Sequence, residues 1–152
     1  MAVTLTELRN DEAVAYLSGL WPRYREELIR AGASPAEADA NIERNQQTIS
    51  PDGAIASGQR MFHVMHGGEH IGNLWLSERA QGDWFIYDIE VFEAYRGQGL
   101  GRASMLAAEE YAKANGATKL GLSVFGFNTI ARSMYESLGY SIIAMQMTKS
   151  LD

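Results

Sequence analysis

The chain has 152 residues, a formal charge of -6 and no cysteine. That length suits one domain spanning 1–152 with one hydrophobic core, and the lack of cysteine excludes disulfides, thiolate metal sites and a cysteine nucleophile. An acidic chain with no basic face is not expected to bind nucleic acid. With no signal peptide and no membrane-length apolar run, it reads as a cytoplasmic protein without membrane contact.

Ala2 to Leu8 alternates weakly and reads as a first strand. Asp11 to Ala31 reads as a helix, interrupted at Pro22, which has no N–H to donate. Ser34-Pro35-Ala36-Glu37 starts a second helix, with a serine cap and a glutamate three residues on; it runs to about Thr48 and stops before the turn Pro51-Asp52-Gly53. Arg60–His66 and His70–Ser77 form a hairpin across Gly67-Gly68, and Trp84–Phe92 is the next strand. A helix from Gly99 to Asn115, a strand over Thr118–Val124, a helix from the cap Asn128 to Leu138 and a final strand over Tyr140–Thr148 complete the chain. Hairpins followed by a β-α-β unit predict a mixed α/β fold, not a doubly wound parallel sheet.

Arg96-Gly97-Gln98-Gly99-Leu100-Gly101 lies between a strand and a helix. Alternating glycines there let successive amides face one point at the positive end of a helix dipole, which suits a phosphate. The loop is not a dinucleotide fingerprint, because the spacing is G-x-G-x-G and no acid follows at the required distance. Nor is it a P-loop, because Gly101 is followed by Arg102 and Ala103. A second motif follows: Asn128-x-x-Ala131-Arg132-x-x-Tyr135-Glu136, then Gly139-Tyr140.

Together the two motifs, covering about Trp84 to Tyr140, resemble the GNAT (GCN5-related N-acetyltransferase) superfamily. The resemblance implies a mixed, mostly antiparallel sheet with helices on both faces. Acetyl-CoA, as co-substrate, lies in a V between splayed central strands, here Trp84–Phe92 and Thr118–Val124. It implies that the pantetheine arm pairs with backbone near Val91, that the pyrophosphate sits on the amides of Arg96, Gly97, Gln98, Gly99, Leu100, Gly101 and Arg102, and that Asn128 touches the pantetheine arm. It also makes Tyr135 the general acid for the departing thiolate, a role that fits a phenol whose pKa of ~10 is near that of an alkyl thiol.

Asp88 and Glu90 are two apart in a strand and share a face, so they are candidates for drawing a proton off an ammonium, directly or through water, unless a bulge breaks the alternation. His63, His66 and His70 gather around the hairpin, but His63 and His66 fall on opposite strand faces, so they read as solvated or edge residues and no metal site is expected. The reading is an N-acetyltransferase that works by direct attack of a primary amine in a ternary complex; the alternative is a non-catalytic acyl-CoA-binding or sensing module. Carboxylates near the site favour a cationic acceptor, either a small-molecule amine or a protein amino group. A homodimer is compatible with a final strand that packs across subunits, as in similar proteins.

Overall fold

The computed structural model describes residues 2–152. Its elements are β1 (Thr4–Glu7), α1 (Asn10–Arg30), α2 (Pro35–Ile49), β2 (Gln59–His66), β3 (Glu69–Ala80), β4 (Asp83–Val91), a 3-10 turn (Glu93–Tyr95), α3 (Leu100–Ala114), β5 (Lys119–Leu122) and α4 (Thr129–Ser137). The strands form one sheet in the order β1-β2-β3-β4-β5. Neighbours are antiparallel through β4, whereas β4 and β5 run parallel.

Alternation along the strands feeds a core on each face of the sheet. Phe62, Val64, Leu74, Leu76, Trp84 and Ile86 point toward α3, where they meet Leu100, Met105 and Ala108. Met61 and Trp75 point the other way, onto Ala13, Leu17, Leu20 and Trp21 of α1 and Ile42 and Ile49 of α2. Burying one such aliphatic side chain contributes roughly 1.5–3 kcal/mol. This face accounts for the continuity of α1. The helix was expected to break at Pro22, yet it runs unbroken from Asn10 to Arg30 with the proline inside. An interior proline costs about 3 kcal/mol, and the apolar stripe on both sides of it offsets that cost.

The sheet opens between its last two strands. Parallel pairing starts at Asp83 with Lys119 and ends at Ile86 with Leu122. β5 stops there, while β4 continues to Val91, still paired with β3. Among the described residues, Tyr87–Val91 therefore has no strand on its β5 side, and the gap is the V predicted from the resemblance. A bulge lies at its apex: Trp75 pairs with Asp88 and Leu76 with Ile86, so Tyr87 has no partner across the ladder. The bulge sends the consecutive side chains of Tyr87 and Asp88 toward the α1 side. Tyr87 stacks on Trp75 there with ring centroids 4.9 Å apart, and Asp88 meets α1. Beyond the bulge the alternation resumes, so Asp88 and Glu90 share a face as expected.

The predicted last strand is absent. Tyr140 to Asp152 pairs with no described strand, and Ile143 and Met147 are 98% and 88% exposed. Alternation alone supplies strand propensity but not a partner. The tail passes the α1–α2 turn instead, where Thr148 lies near Gly32.

At Gly72 of β3, a Cβ would stand 1.9 Å from the Glu90 carbonyl oxygen. Gly72→Ala must push β4 away at Glu90, and overpacking of this kind costs about 1–3 kcal/mol. The expected outcome is a lower midpoint in urea unfolding with an unchanged slope.

Candidate active site

The strand-to-helix connection builds a donor cluster from backbone alone. Gly97 and Gly99 adopt φ of 77° and 78°, in the left-handed region that glycine enters without steric cost. Gly99 is the N-cap of α3 and offers no side chain to the first turn. The first amides of α3 therefore face outward with the helix dipole behind them, the arrangement an anion requires. Arg96 folds back, its Nε donating to the Val91 carbonyl at 2.9 Å, and so ties the loop to the end of β4. Arg102 donates to Ser137 Oγ at 2.9 Å, joining α3 to α4.

α4 supplies the two residues of the second motif. Asn128 caps the helix, its side-chain oxygen accepting from the Ala131 amide at 3.3 Å, and it also lines an open cleft with Arg23, Glu27, Arg30 and Phe127. Tyr135 is partly buried against the α3-side core. Burial first, and then the negative charge of Asp88, hold its phenol above the usual tyrosine value. The phenol is protonated at neutral pH, as an ordinary tyrosine also is.

The two carboxylates of β4 have different surroundings. Asp88 is held by two residues of α1: it accepts a short hydrogen bond from the Tyr16 hydroxyl and a salt bridge from Arg23 Nη2 at 3.1 Å. Its side chain is only 12% exposed. Burial raises its pKa, and Arg23 and Tyr16 oppose that rise. Glu90 is looser, with Arg23 Nη2 at 3.4 Å and the Asn73 amide donating to it, also at 3.4 Å. Glu90 opens onto a cleft of about 570 Å³ lined also by Glu12, Tyr16, Arg23, His63, His70 and Asn73. Arg23 lines this cleft and the one beside Asn128.

Tyr16 and Arg23 were not singled out from the sequence. The available signal is their spacing: seven residues apart, they lie two turns along one face of α1. The histidines also differ from expectation. His66 stands apart, its Nδ1 within 2.8 Å of the Ala2 carbonyl. His63 and His70 converge, with rings stacked at 3.7 Å, because His63 on β2 and His70 on β3 lie on the same face across the hairpin, where a register shift follows Val64. Among the described residues, no group of three or more His, Cys, Asp or Glu side chains is placed to hold a metal ion.

This geometry has counterparts. Residues 21–140 match the model of the Acetyltransferase (GNAT) family. The chain is 30% identical to the uncharacterized N-acetyltransferase YycN of Bacillus subtilis, over 99% of this chain and 100% of that protein. The crystal structure of YycN superposes with a TM-score of 0.88 at 29% identity, covering 99% of both chains. A putative acetyl transferase from Pyrococcus furiosus gives a TM-score of 0.65 at 26% identity, over 98% of this chain and 99% of its own. The aminoglycoside N-acetyltransferase AAC(6')-Iy, solved in complex with CoA, shares the fold at a TM-score of 0.56 and 18% identity, over 97% of this chain and 93% of its own. The chain belongs to the GNAT acetyltransferase family and is an N-acetyltransferase. The family uses acyl-CoA. No helix of the described residues is long and apolar enough to cross a membrane.

The Asp88 clamp generates a prediction. Arg23→Met leaves a nearly buried carboxylate without its counter-ion, which costs roughly 1–3 kcal/mol near neutral pH. Losing Arg23 raises the folded-state pKa of Asp88 further, so the variant's deficit is largest where Asp88 is ionised. It shrinks as pH falls and the carboxyl protonates. Urea unfolding at about pH 7 and about pH 4 checks both the size and the sign.

Proposed function

We propose that the protein moves an acetyl group from acetyl-CoA to a cationic primary amine by direct attack in a ternary complex. One observation carries the reading: the half of β4 that β5 leaves uncovered, Tyr87–Val91, leads through the 3-10 turn and the glycine loop to the N-terminus of α3, which has no side-chain cap. An acyl-CoA laid along that strand has backbone groups for its pantetheine arm near Val91. It has the amides of residues 96–102 for its pyrophosphate, and a strand N–H near Val91 serves the tetrahedral oxyanion. Asn128 contacts the pantetheine arm from the far side of the V.

Tyr135 gives its proton to the departing thiolate. The phenol reaches the reaction protonated, and its raised pKa makes it a weaker acid toward the thiolate than an ordinary tyrosine, so the developing negative charge on sulfur must draw the proton across. The acceptor enters from the α1 side. An alkylammonium near pKa ~10.4 costs roughly 4–5 kcal/mol to deprotonate at neutral pH, so a site that holds the cation and gives its proton a destination is required. Glu90, with Glu12 across the cleft, holds the ammonium, while Asp88 fixes Arg23 and Tyr16 behind it. A small-molecule amine and a protein amino group both meet this requirement.

The tail supports a homodimer. Ile142, Ile143, Met145, Met147 and Leu151 are exposed in Tyr140–Asp152, and among the described residues β5 has no neighbour on its outer edge. Docking this segment on a second copy covers an apolar run that water otherwise meets. Sedimentation is expected to give a dimer, and Ile143→Asp with Met147→Asp to shift it to monomer.

For the activity, acetyl-CoA at a hundred times its dissociation constant should stabilise the fold by about 2.7 kcal/mol in thermal unfolding. Tyr135→Phe should lower kcat by about 10²-fold with the acetyl-CoA dissociation constant unchanged in calorimetry. Parent-level turnover in that variant removes Tyr135 from the mechanism.

A further inference from the structure

The proton that the amine sheds needs an acceptor, and the carboxylates are poorly matched to it. An ordinary carboxylate near pKa ~4.3 lies further from an alkylammonium than an imidazole near ~6.5. The acceptor cleft contains two imidazoles, His63 of β2 and His70 of β3, together with Glu90. Their rings stack at 3.7 Å and 23°, and Phe92 meets the His70 ring edge-on with centroids at 4.9 Å.

A hydrogen-bond chain fixes which nitrogen of His70 carries its proton. Glu90 can only accept, so the Asn73 amide turns its NH2 to Glu90 Oε2 at 3.4 Å. The Asn73 oxygen then faces His70 Nε2 at 3.0 Å, and that nitrogen must donate. In a neutral ring this leaves the lone pair on Nδ1 free to take a proton. Two rings in stacking contact repel a second charge, so the pair is built to carry one proton at a time. Burial and the neighbouring His70 lower the pKa of His63, with Glu12 opposing them.

We propose that the stacked His63–His70 pair, oriented through Asn73 and Glu90, receives the proton released by the acceptor ammonium. This deepens the acetyl-transfer reading above and rests on it. The balance is complete. R-NH3+ gives one proton to an imidazole, and the free amine attacks the thioester carbon, forming the C–N bond. The tetrahedral adduct collapses as the C–S bond breaks. Tyr135 protonates the sulfur and is restored by the second proton from nitrogen, and the imidazolium returns its proton to water. His63 and His70 are catalytic on this reading, and Asn73 is a positioning residue. The groups facing the pair are Glu12, Tyr16 and Arg23 of α1, Glu90 of β4 and Phe92 at its end.

The test follows free-thiol release from acetyl-CoA against pH, with spermidine, tyramine and a lysine-containing peptide as probe amines. His70→Gln and His63→Phe should each lower kcat/KM by about 10²-fold near neutral pH, and the loss should close at high pH, where the amine arrives already neutral. Asn73→Leu should move the acidic limb of the profile while leaving kcat at high pH near that of the parent. pH profiles parallel to the parent's, with acetyl-CoA still bound, overturn the histidine assignment alone. A parent that binds no acetyl-CoA overturns the enzyme reading and this inference with it. If a substitution disturbs the fold, histidine-ring NMR of the parent decides: the pair should take up one proton well before the second, and two independent titrations overturn the proposal.

Discussion

The structure turns on where β4 and β5 stop pairing. Four residues of each strand form a parallel ladder, and then β5 ends while β4 runs on. An open edge on a central strand is normally a liability, and here it faces the N-terminus of α3, where amides are also unpartnered. Two sets of backbone groups, those on the open side of β4, of which the Val91 carbonyl accepts from Arg96, and the first amides of α3, lie along one line. A ligand that is extended and hydrogen-bonding at one end and anionic at the other satisfies both sets. The side chains around this line then determine which chemistry follows.

The bulge at Tyr87 links the ligand line to the opposite face of the sheet. By sending Tyr87 and Asp88 to one side, it connects β4 to α1 through Trp75 on one hand and through Tyr16 and Arg23 on the other. α1 is therefore more than a lid over an apolar face. It contributes the cation that organises two carboxylates, and it forms a wall of the cleft onto which Glu90 opens.

Much of this was legible from the residues. The glycine loop and the Asn128 cap are local, and the left-handed glycines at the start of α3 and the capped start of α4 were legible because turn conformation and helix capping are properties of short segments. Alternation placed Asp88 and Glu90 on one face correctly. What escaped the sequence depends on distant partners. The Tyr16–Asp88 contact spans 72 positions and Arg23–Asp88 spans 65. The stacking of His63 on His70 depends on hairpin register. Pro22 was misread for the same reason: its local cost is visible, but the burial that offsets it is supplied by β2 and β3. The expected Tyr140–Thr148 strand did not form because strand propensity alone does not bring a segment to an edge: this one passes the α1–α2 turn near Gly32 instead of the outer side of β5.

Arg23 stands in the wall of both clefts, the one onto which Glu90 opens and the one beside Asn128. A molecule that draws this group toward one chamber withdraws it from the other. By thermodynamic reciprocity, whatever factor the first occupant imposes on the second is returned in full. Occupants of the two clefts would thus be coupled through a single side chain, and the strength of that coupling would depend on how firmly Asp88 holds it.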